Sequence, residues 1–116
     1  MAQAMMKLFL DDLRTIEMVY DESEVNHFSI VRSYKDFVSY IIQNGLPDFI
    51  SFDNDLGLDE QGKLAPDGYA CAKWLVYESG LDLSQLKFHV HSANPVATEQ
   101  IRGLLNNYIA HLNNRD

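Results

Sequence analysis

The sequence predicts an α/β fold in which a small parallel sheet of about four strands is flanked by helices. Three observations predict it: short apolar runs alternate with helical segments, the connections are long enough for parallel crossovers, and several runs end in polar residues. The 116 residues, 47% of them hydrophobic, suffice for one core. We expect residues 1–5 to form a flexible N-terminal tail and residues 6–116 to form a single domain.

The apolar runs are short enough to be strands. They are Met6 to Leu10, Phe28 to Val31, Asp48 to Phe52 and Phe88 to His91. No further run of this kind follows the helical segment that begins near Asn94, so we expect the sheet to lack a clear fifth strand.

The first helical segment follows the second run. It begins at Ser33, a good N-cap residue, and stops at Gly45. Its apolar stripe, which we expect to be buried, consists of Phe37, Val38, Ile41 and Ile42.

Two further helices are predicted, and one connection carries only a weak signal. The second helix opens at Pro66-Asp67-Gly68 and ends near Gly80, with Cys71 and Trp74 as core residues. The third opens at Asn94-Pro95, where Asn94 suits the N-cap and proline suits the first helical position. The stretch from Leu13 to Asn26 is long enough for a crossover, but its apolar residues keep no helical period.

Charge and composition exclude several functional classes. Nine Lys and Arg against 17 Asp and Glu give a formal net charge of -8, which argues against general nucleic-acid binding. The single Cys71 excludes an internal disulfide and a multi-cysteine zinc site, as is typical of a cytoplasmic protein. Because Lys73 interrupts the most apolar run, we expect no membrane span and a cytoplasmic location.

Polar residues follow three of the predicted strands. Asp11 and Asp12 follow the first, Asp53 and Asp55 the third, and His91 lies at the end of the fourth. Ligands of parallel α/β sheets bind outside the carboxyl ends of the strands. We therefore expect these groups, which are far apart in the sequence, to meet at one edge of the sheet.

Carboxylates brought together repel one another unless a proton or a cation compensates their charge. Oxygen ligands favour Mg²⁺ or Mn²⁺ over zinc, and Mg²⁺ often completes its shell with water and a substrate phosphate. The predicted metal ligands are Asp11, Asp12, Asp53 and Asp55. The alternative is that each acid ends its strand as a solvated turn residue.

Groups suited to a phosphate lie beside the acids. Arg14 offers a bidentate guanidinium, and Ser92 and Asn94 precede a helix N-terminus whose free N–H groups attract anions. The predicted catalytic residues are His91, a candidate for proton transfer, and Asp53. We expect His89, inside its strand, to be half-buried and structural. The alternatives are an ion-paired surface arginine, a simple helix cap and a structural His91.

The motifs around these residues resemble those of a known family. The first strand with its acid pair, the strand that ends at Asp53 and the His91-Ser92 pair resemble the response-regulator receiver fold, which is flavodoxin-like. More closely, LDDLR (residues 10–14), SFDNDLG (51–57), DGYA (67–70) and VHSANP (90–95) resemble the cyclic-phosphate-processing receiver-like domains. The resemblance covers roughly residues 6 to 112.

The receiver resemblance implies an acid pair, a phosphoacceptor at Asp53 and a hydroxyl at Ser92 around one Mg²⁺. It also implies a lysine after a strand, which this sequence lacks, because Lys87 lies at the wrong end of the fourth strand. We therefore expect hydrolysis or binding of a small cyclic phosphate, for example of a nucleotide, with Mg²⁺ or Mn²⁺. The alternatives are a signalling receiver phosphorylated on Asp53 and a non-catalytic sensor of a phosphorylated small molecule.

Overall fold

Four parallel strands form the sheet of the computed structural model, which describes residues 6–20, 28–57, 61–63 and 66–114. The strands are β1 (Lys7–Leu10), β2 (Phe28–Val31), β3 (Phe49–Phe52) and β4 (Lys87–Val90). Their order across the sheet is β2-β1-β3-β4. The predicted fold class is confirmed, and β2 and β4 are the edge strands among the described residues. The tail expected over residues 1–5 lies outside them.

Strand bounds differ from the prediction by one residue at β1, β3 and β4. β1 and β3 begin at Lys7 and Phe49, and β4 runs from Lys87, so that His91 follows the strand instead of ending it. The pairing register explains this difference, because Lys7 pairs with Phe49 and Phe49 with Lys87. The His91 N–H still donates to the Phe52 carbonyl oxygen at 2.9 Å, which keeps His91 beside the end of β3.

Three helices follow the strands, and each begins at the residue type that the sequence indicates. They are α1 (Tyr34–Asn44), α2 (Gly68–Tyr77) and α3 (Pro95–Asn113). The side-chain oxygens of Ser33, Asp67 and Asn94 accept N–H groups of the first turns. α2 ends at Tyr77, earlier than the predicted Gly80. Within the described part of the weak segment, the only helical structure is a 3₁₀ turn over Ile16–Met18.

The hydrophobic core lies between one face of the sheet and the three helices. Alternate strand residues point to this face, and α2 packs against both α1 and α3. The fully buried members include Leu8, Leu10, Phe37, Ile41, Ile50, Phe52, Cys71, Ile101 and Leu105. Ile42 was expected in the α1 stripe but is 70% exposed, because the Phe37 and Ile41 side of α1 faces the core.

The other face of the sheet is aromatic. The Phe9 and Phe28 rings lie 6.0 Å apart, and the Tyr20 ring lies 5.3 Å from Phe28 and 6.4 Å from Phe49. Tyr20 ends the described part of the connection between β1 and β2, residues 11–20, and this irregular segment covers part of the face that carries none of the described helices. No described helix has the length and apolar character needed to cross a bilayer.

Candidate functional site

The carboxyl ends of β1, β3 and β4 open into one cavity of about 440 Å³. It contains all the predicted metal ligands and all the predicted phosphate-binding residues. Its lining consists of Asp11, Asp12, Leu13, Arg14, Asp53, Asp55, Ser92, Ala93 and Asn94. Residues that are more than 80 positions apart in the sequence therefore share a single concave surface, as expected for the end of a parallel sheet.

Asp11 is the most buried acid of the site, with 1% of its surface exposed. Its Oδ1 accepts the backbone N–H groups of Leu13 at 2.9 Å and Arg14 at 2.8 Å, and its Oδ2 lies 3.0 Å from the His91 Nε2. Burial by itself would raise the pKa of Asp11. The hydrogen bonds and the nearby His91 outweigh burial and hold that pKa below its ordinary value.

Asp53 follows β3 and is 6% exposed. Burial, followed by repulsion from the Asp11 carboxylate, raises the pKa of Asp53 to about 6. The Asn54 N–H donates to its Oδ1 at 2.8 Å and opposes this shift. The carboxylate form of Asp53 is therefore under-compensated and is favoured by any cation that approaches it.

Asp12 and Asp55 form the outer part of the acidic wall. Burial raises the pKa of Asp12, and the charges of Asp11 and Asp55 raise it further. Asp55 is exposed, and its Oδ1 accepts the Gly57 N–H at 3.0 Å. Gly57 has a φ of +79°, and a Cβ added there would lie 3.0 Å from the Asp12 Oδ2, so the loop after β3 packs directly against Asp12.

Two arginines organise the loop after β1. The Arg14 Nη1 lies 3.4 Å from the Asp11 Oδ2 and 3.7 Å from the Asp53 Oδ1, and 37% of this side chain is exposed. Arg14 therefore pairs with acids, as expected for the alternative of an ion-paired arginine. It also lines the cavity. Arg32, which no sequence motif marked, donates from Nη1 to the carbonyl oxygens of Asp11 at 3.1 Å and Arg14 at 2.6 Å. Its position directly after β2, at the same sheet edge, was the available signal.

Ser92 and Asn94 shape the start of α3. The Asn94 Oδ1 accepts the N–H groups of Val96 at 3.0 Å and Ala97 at 3.1 Å, and the Ser92 Oγ accepts the Asn94 N–H at 3.0 Å. Both oxygens are therefore engaged in capping. The donors that these side chains can offer an anion are the Ser92 hydroxyl hydrogen and the Asn94 amide NH₂.

His91 contacts Asp11 but is not one of the residues that line the cavity. Its side chain is 3% exposed, and its ring stacks on Phe9 with the ring centres 4.8 Å apart. Burial lowers the pKa of His91, although the hydrogen bond that its ring donates to Asp11 opposes this, so the neutral ring is favoured. A proton-transfer role for His91 stays a prediction. His89 is exposed instead of half-buried, because β4 is an edge strand.

Two further residues near His91 were missed. The His91 Nδ1 lies 2.7 Å from the Ser51 Oγ, which in turn lies 2.7 Å from the Tyr20 hydroxyl. Ser51 is fully buried in β3, and a lone hydroxyl within an apolar strand was the signal that could have identified it. Tyr20 lies in the irregular segment, where the sequence carries no pattern that would single it out.

The donor groups present fit a hard divalent cation. A carboxylate oxygen of Asp11, a carboxylate oxygen of Asp53 and a ring nitrogen of His91 lie within 4.8 Å of one another. Two of the three are carboxylates, one of which has its pKa raised by burial and by its acidic neighbour. Asp12 and Asp55 add oxygens on the same cavity wall, and oxygen-rich sites favour Mg²⁺ or Mn²⁺.

The fold is also found in a solved structure. A fusion protein that carries a yeast Spc42 trimeric coiled-coil segment matches 88% of this chain with a TM-score of 0.57 and 20% sequence identity. This chain spans 63% of the length of that one. At this level of identity the likeness shows the fold alone. A comparison with curated proteins finds no match.

A family model identifies the chain more specifically. The model described as the cyclic-phosphate processing receiver domain matches residues 6–107, which include every strand and the whole cavity lining. This range is close to the one over which the motifs resemble the same family. The chain belongs to the cyclic-phosphate processing receiver domain family.

Proposed function

We propose that the protein binds a small cyclic phosphate ester at the carboxyl edge of its sheet, together with Mg²⁺ or Mn²⁺, and opens the ester with water. One observation carries the proposal: the acidic groups and the phosphate-binding candidates line the same cavity of about 440 Å³. This volume is within the range of small-molecule sites. Membership of the family supports the assignment to cyclic phosphates.

The acidic wall would hold the metal ion. Asp11 and Asp53 are the inner ligands in this proposal, and Asp12 and Asp55 complete the set directly or through water. When bound, such an ion supplies a water molecule of lowered pKa and positive charge against the phosphoryl oxygens. The raised pKa of Asp53 supports this assignment, because a nearby cation favours the ionised carboxylate.

Arg14 and the start of α3, which line the same cavity, would hold the phosphate. Arg14 is partly exposed, and its contacts with Asp11 and Asp53 are long enough for the guanidinium to turn to phosphate oxygens. The start of α3 contributes the Ser92 hydroxyl, the Asn94 amide and the positive end of the helix dipole. A single phosphate is thus held between a guanidinium and a helix N-terminus.

The reaction adds one water molecule across a phosphoester bond. The water oxygen bonds to phosphorus, one ring P–O bond breaks, and the leaving alkoxide takes up a proton, which yields a phosphomonoester. Arg14 and the donors of α3 orient the phosphate and stabilise the charge that develops on its oxygens. His91 touches Asp11 instead of the cavity, so we assign it the support of Asp11.

The test is incubation with nucleoside 2′,3′-cyclic phosphates and Mg²⁺ or Mn²⁺, followed by ³¹P NMR. We expect a phosphomonoester product from the wild type and none from Asp53→Asn. Asp36→Asn is the matched control, since Asp36 is an exposed acid on α1 away from the cavity, and it should retain activity. A wild type that gives no product, or an Asp53→Asn variant that is fully active, contradicts the proposal.

The two alternatives give different results in parallel measurements. A phosphoacceptor receiver gains the mass of a phosphoryl group with acetyl phosphate, and that gain is lost in Asp53→Asn. A sensor is thermally stabilised by the cyclic phosphate without forming product. Among the described residues the cavity lining includes no lysine, which favours the hydrolytic proposal over a stable aspartyl phosphate.

A further inference from the structure

We propose that Tyr20 and Ser51 are positioning residues that act through His91 to fix the orientation of the Asp11 carboxylate. The proposal rests on the proposed function, in which Asp11 is an inner metal ligand. It concerns a continuous chain of hydrogen-bonding groups from Tyr20 through Ser51 and His91 to Asp11, with successive distances of 2.7, 2.7 and 3.0 Å.

The direction in which each hydrogen bond of this series is donated follows from its last member, Asp11. The Asp11 carboxylate already accepts two backbone N–H groups, and as an anion it can only accept. The His91 Nε2 must therefore carry the hydrogen that lies between it and Asp11. In the neutral ring the Nδ1 is then an acceptor, so the Ser51 hydroxyl donates to it. The Ser51 oxygen in turn accepts the hydrogen of the Tyr20 hydroxyl.

The ring of His91 is held from three strands. It follows β4, it stacks on Phe9 of β1 with an interplanar angle of 1°, and it is bonded to Ser51 of β3. These contacts leave the ring little freedom to rotate. A fixed ring with a fixed tautomer directs one N–H at the Asp11 Oδ2, and this in turn fixes how the carboxylate faces the cavity.

Asp11 needs this support because its two oxygens compete for different partners. Oδ1 is committed to the Leu13 and Arg14 N–H groups, whereas Oδ2 meets both the His91 Nε2 and the more distant Arg14 Nη1. Partners that orient a metal-binding side chain in this way affect metal affinity by about 10- to 100-fold. Ser51 is fully buried, and among the described residues its hydroxyl pairs with the Tyr20 hydroxyl and the His91 Nδ1.

The experiment measures the His91 tautomer by ¹⁵N NMR in the metal-free protein at about pH 8, where an ordinary imidazole is neutral. The same samples are then titrated with Mn²⁺. We expect the wild type to show the Nε2–H tautomer alone. In Ser51→Ala the Nδ1 loses its donor, so the Nδ1–H tautomer should become detectable and Mn²⁺ affinity should fall about 10-fold. In Tyr20→Phe the Ser51 bond remains, so the Nε2–H tautomer persists and Mn²⁺ affinity falls less than in Ser51→Ala.

A matched control pair lies elsewhere in the fold. The Tyr40 hydroxyl donates to the Ser29 Oγ at 3.3 Å, and neither residue lines the cavity. Tyr40→Phe and Ser29→Ala remove a similar tyrosine–serine contact. Both variants should leave the His91 tautomer and the Mn²⁺ affinity as in the wild type, which separates positioning from a general loss of stability.

Each outcome decides between the proposals. An Nδ1–H tautomer in the wild type overturns the positioning proposal without any variant, as does a Ser51→Ala protein with an unchanged tautomer and unchanged Mn²⁺ affinity. A wild type that binds no Mn²⁺ overturns the proposed metal site and, with it, the role of Asp11 that the positioning serves. Intact Mn²⁺ binding in every variant overturns the positioning proposal alone.

Discussion

Asp11 and Asp53 follow neighbouring strands, yet their surroundings shift their pKa values in opposite directions. Both are buried, which by itself raises a carboxyl pKa. Asp11 receives two backbone N–H groups and the His91 ring, whereas Asp53 receives one N–H and faces the charge of Asp11. Asp11 is therefore the stable anion of the pair, and Asp53 is the group whose ionised form a nearby cation would favour most.

We predict that Asp53→Asn stabilises the metal-free protein at neutral pH by about 2 kcal/mol. The folded pKa of Asp53 is raised from 3.8 to about 6, so the folded state favours the protonated carboxyl. The stability that the protein gains from protonated Asp53 is therefore fully present below the unfolded pKa of 3.8 and is lost as pH rises through about 6. Asparagine can still accept the Asn54 N–H and carries no charge. Denaturant unfolding in the presence of a chelator measures the difference.

The pH dependence of that difference is diagnostic. The gap between Asp53→Asn and the wild type should open as pH rises from about 4 to about 6, and should be small at lower pH. A variant that is less stable than the wild type at neutral pH, or a gap that does not change with pH, would contradict the stated environment of Asp53.

We predict that Arg14→Gln weakens phosphate binding more than metal binding. The guanidinium is the one cationic side chain among the described residues of the cavity lining, and it is partly exposed. Charge-assisted hydrogen bonds contribute about 1.5–3 kcal/mol, so inorganic phosphate affinity in the presence of Mn²⁺ should fall by roughly 10-fold or more. Calorimetric titration measures both ligands. Equal phosphate affinity in the two proteins would remove Arg14 from the phosphate site.

At the scale of single residues, the sequence predicted the cavity well and its supporting groups poorly. Asp11, Asp12 and Asp53 follow strands, and strand ends can be inferred from apolar runs. Ser51 and Tyr20 become relevant only through the three-dimensional contact of β3 with the irregular segment. The role of His91 also depends on the direction in which its ring points. The alternation of side chains along a strand does not determine that direction for a residue at the strand end.

Between the elements, the start of α2 lies tightly against the end of β3. A Cβ added at Gly68 would lie 1.9 Å from the carbonyl oxygen of Asp53, so only glycine fits at the start of α2. The Gly68 N–H also donates to the Asn54 carbonyl oxygen at 2.8 Å. The N-terminus of α2 thereby fixes the backbone that carries Asp53.

We predict that Gly68→Ala lowers the free energy of unfolding by about 1–3 kcal/mol or more. It should also weaken Mn²⁺ binding, because the backbone of Asp53 must move. Gly103→Ala is the matched control, since a Cβ at this position in α3 meets no atom within 4 Å. The control should gain about 0.5–1 kcal/mol in stability and keep its Mn²⁺ affinity. Thermal unfolding and Mn²⁺ titration report both effects, and a fully stable Gly68→Ala would refute the tight contact.

We predict that Asn94→Asp separates helix capping from phosphate binding. Aspartate can accept the Val96 and Ala97 N–H groups as asparagine does, and a negative charge is favourable at a helix N-terminus. Stability should therefore be equal or higher, while phosphate affinity falls through repulsion. Asn94→Ala, in contrast, should lose about 1 kcal/mol of stability. Phosphate affinity that is unchanged in Asn94→Asp would place the anion away from α3.

The elements themselves were largely predictable from local patterns. Ser33, Asp67 and Asn94 mark helix starts because their side chains cap the first turn, and the structure shows those bonds. The segment after β1 resisted prediction because its described part holds only a 3₁₀ turn, which leaves no 3.6-residue period. The exposure of Ile42 was not predicted, because burial depends on which side of α1 faces the core.

For the molecule as a whole, two features bear on the site: the distribution of charge and the order of the strands in the sheet. The net charge of -8 disfavours polyanions, yet the cavity lining includes the cationic Arg14 and the start of α3. The β2-β1-β3-β4 order places β1 and β3 side by side, so that Asp11 and Asp53 meet at the sheet edge. The sequence predicted this convergence because parallel strands align their carboxyl ends.

The proposed metal site can be tested with crystals of the protein soaked in Mn²⁺ and examined by anomalous diffraction. We expect one strong peak at about 2 Å from carboxylate oxygens of Asp53 and of Asp11 or Asp12, and no peak there in Asp53→Asn. A wild-type crystal saturated with Mn²⁺ that shows no peak between the ends of β1 and β3 would rule out a metal ion shared by these acids.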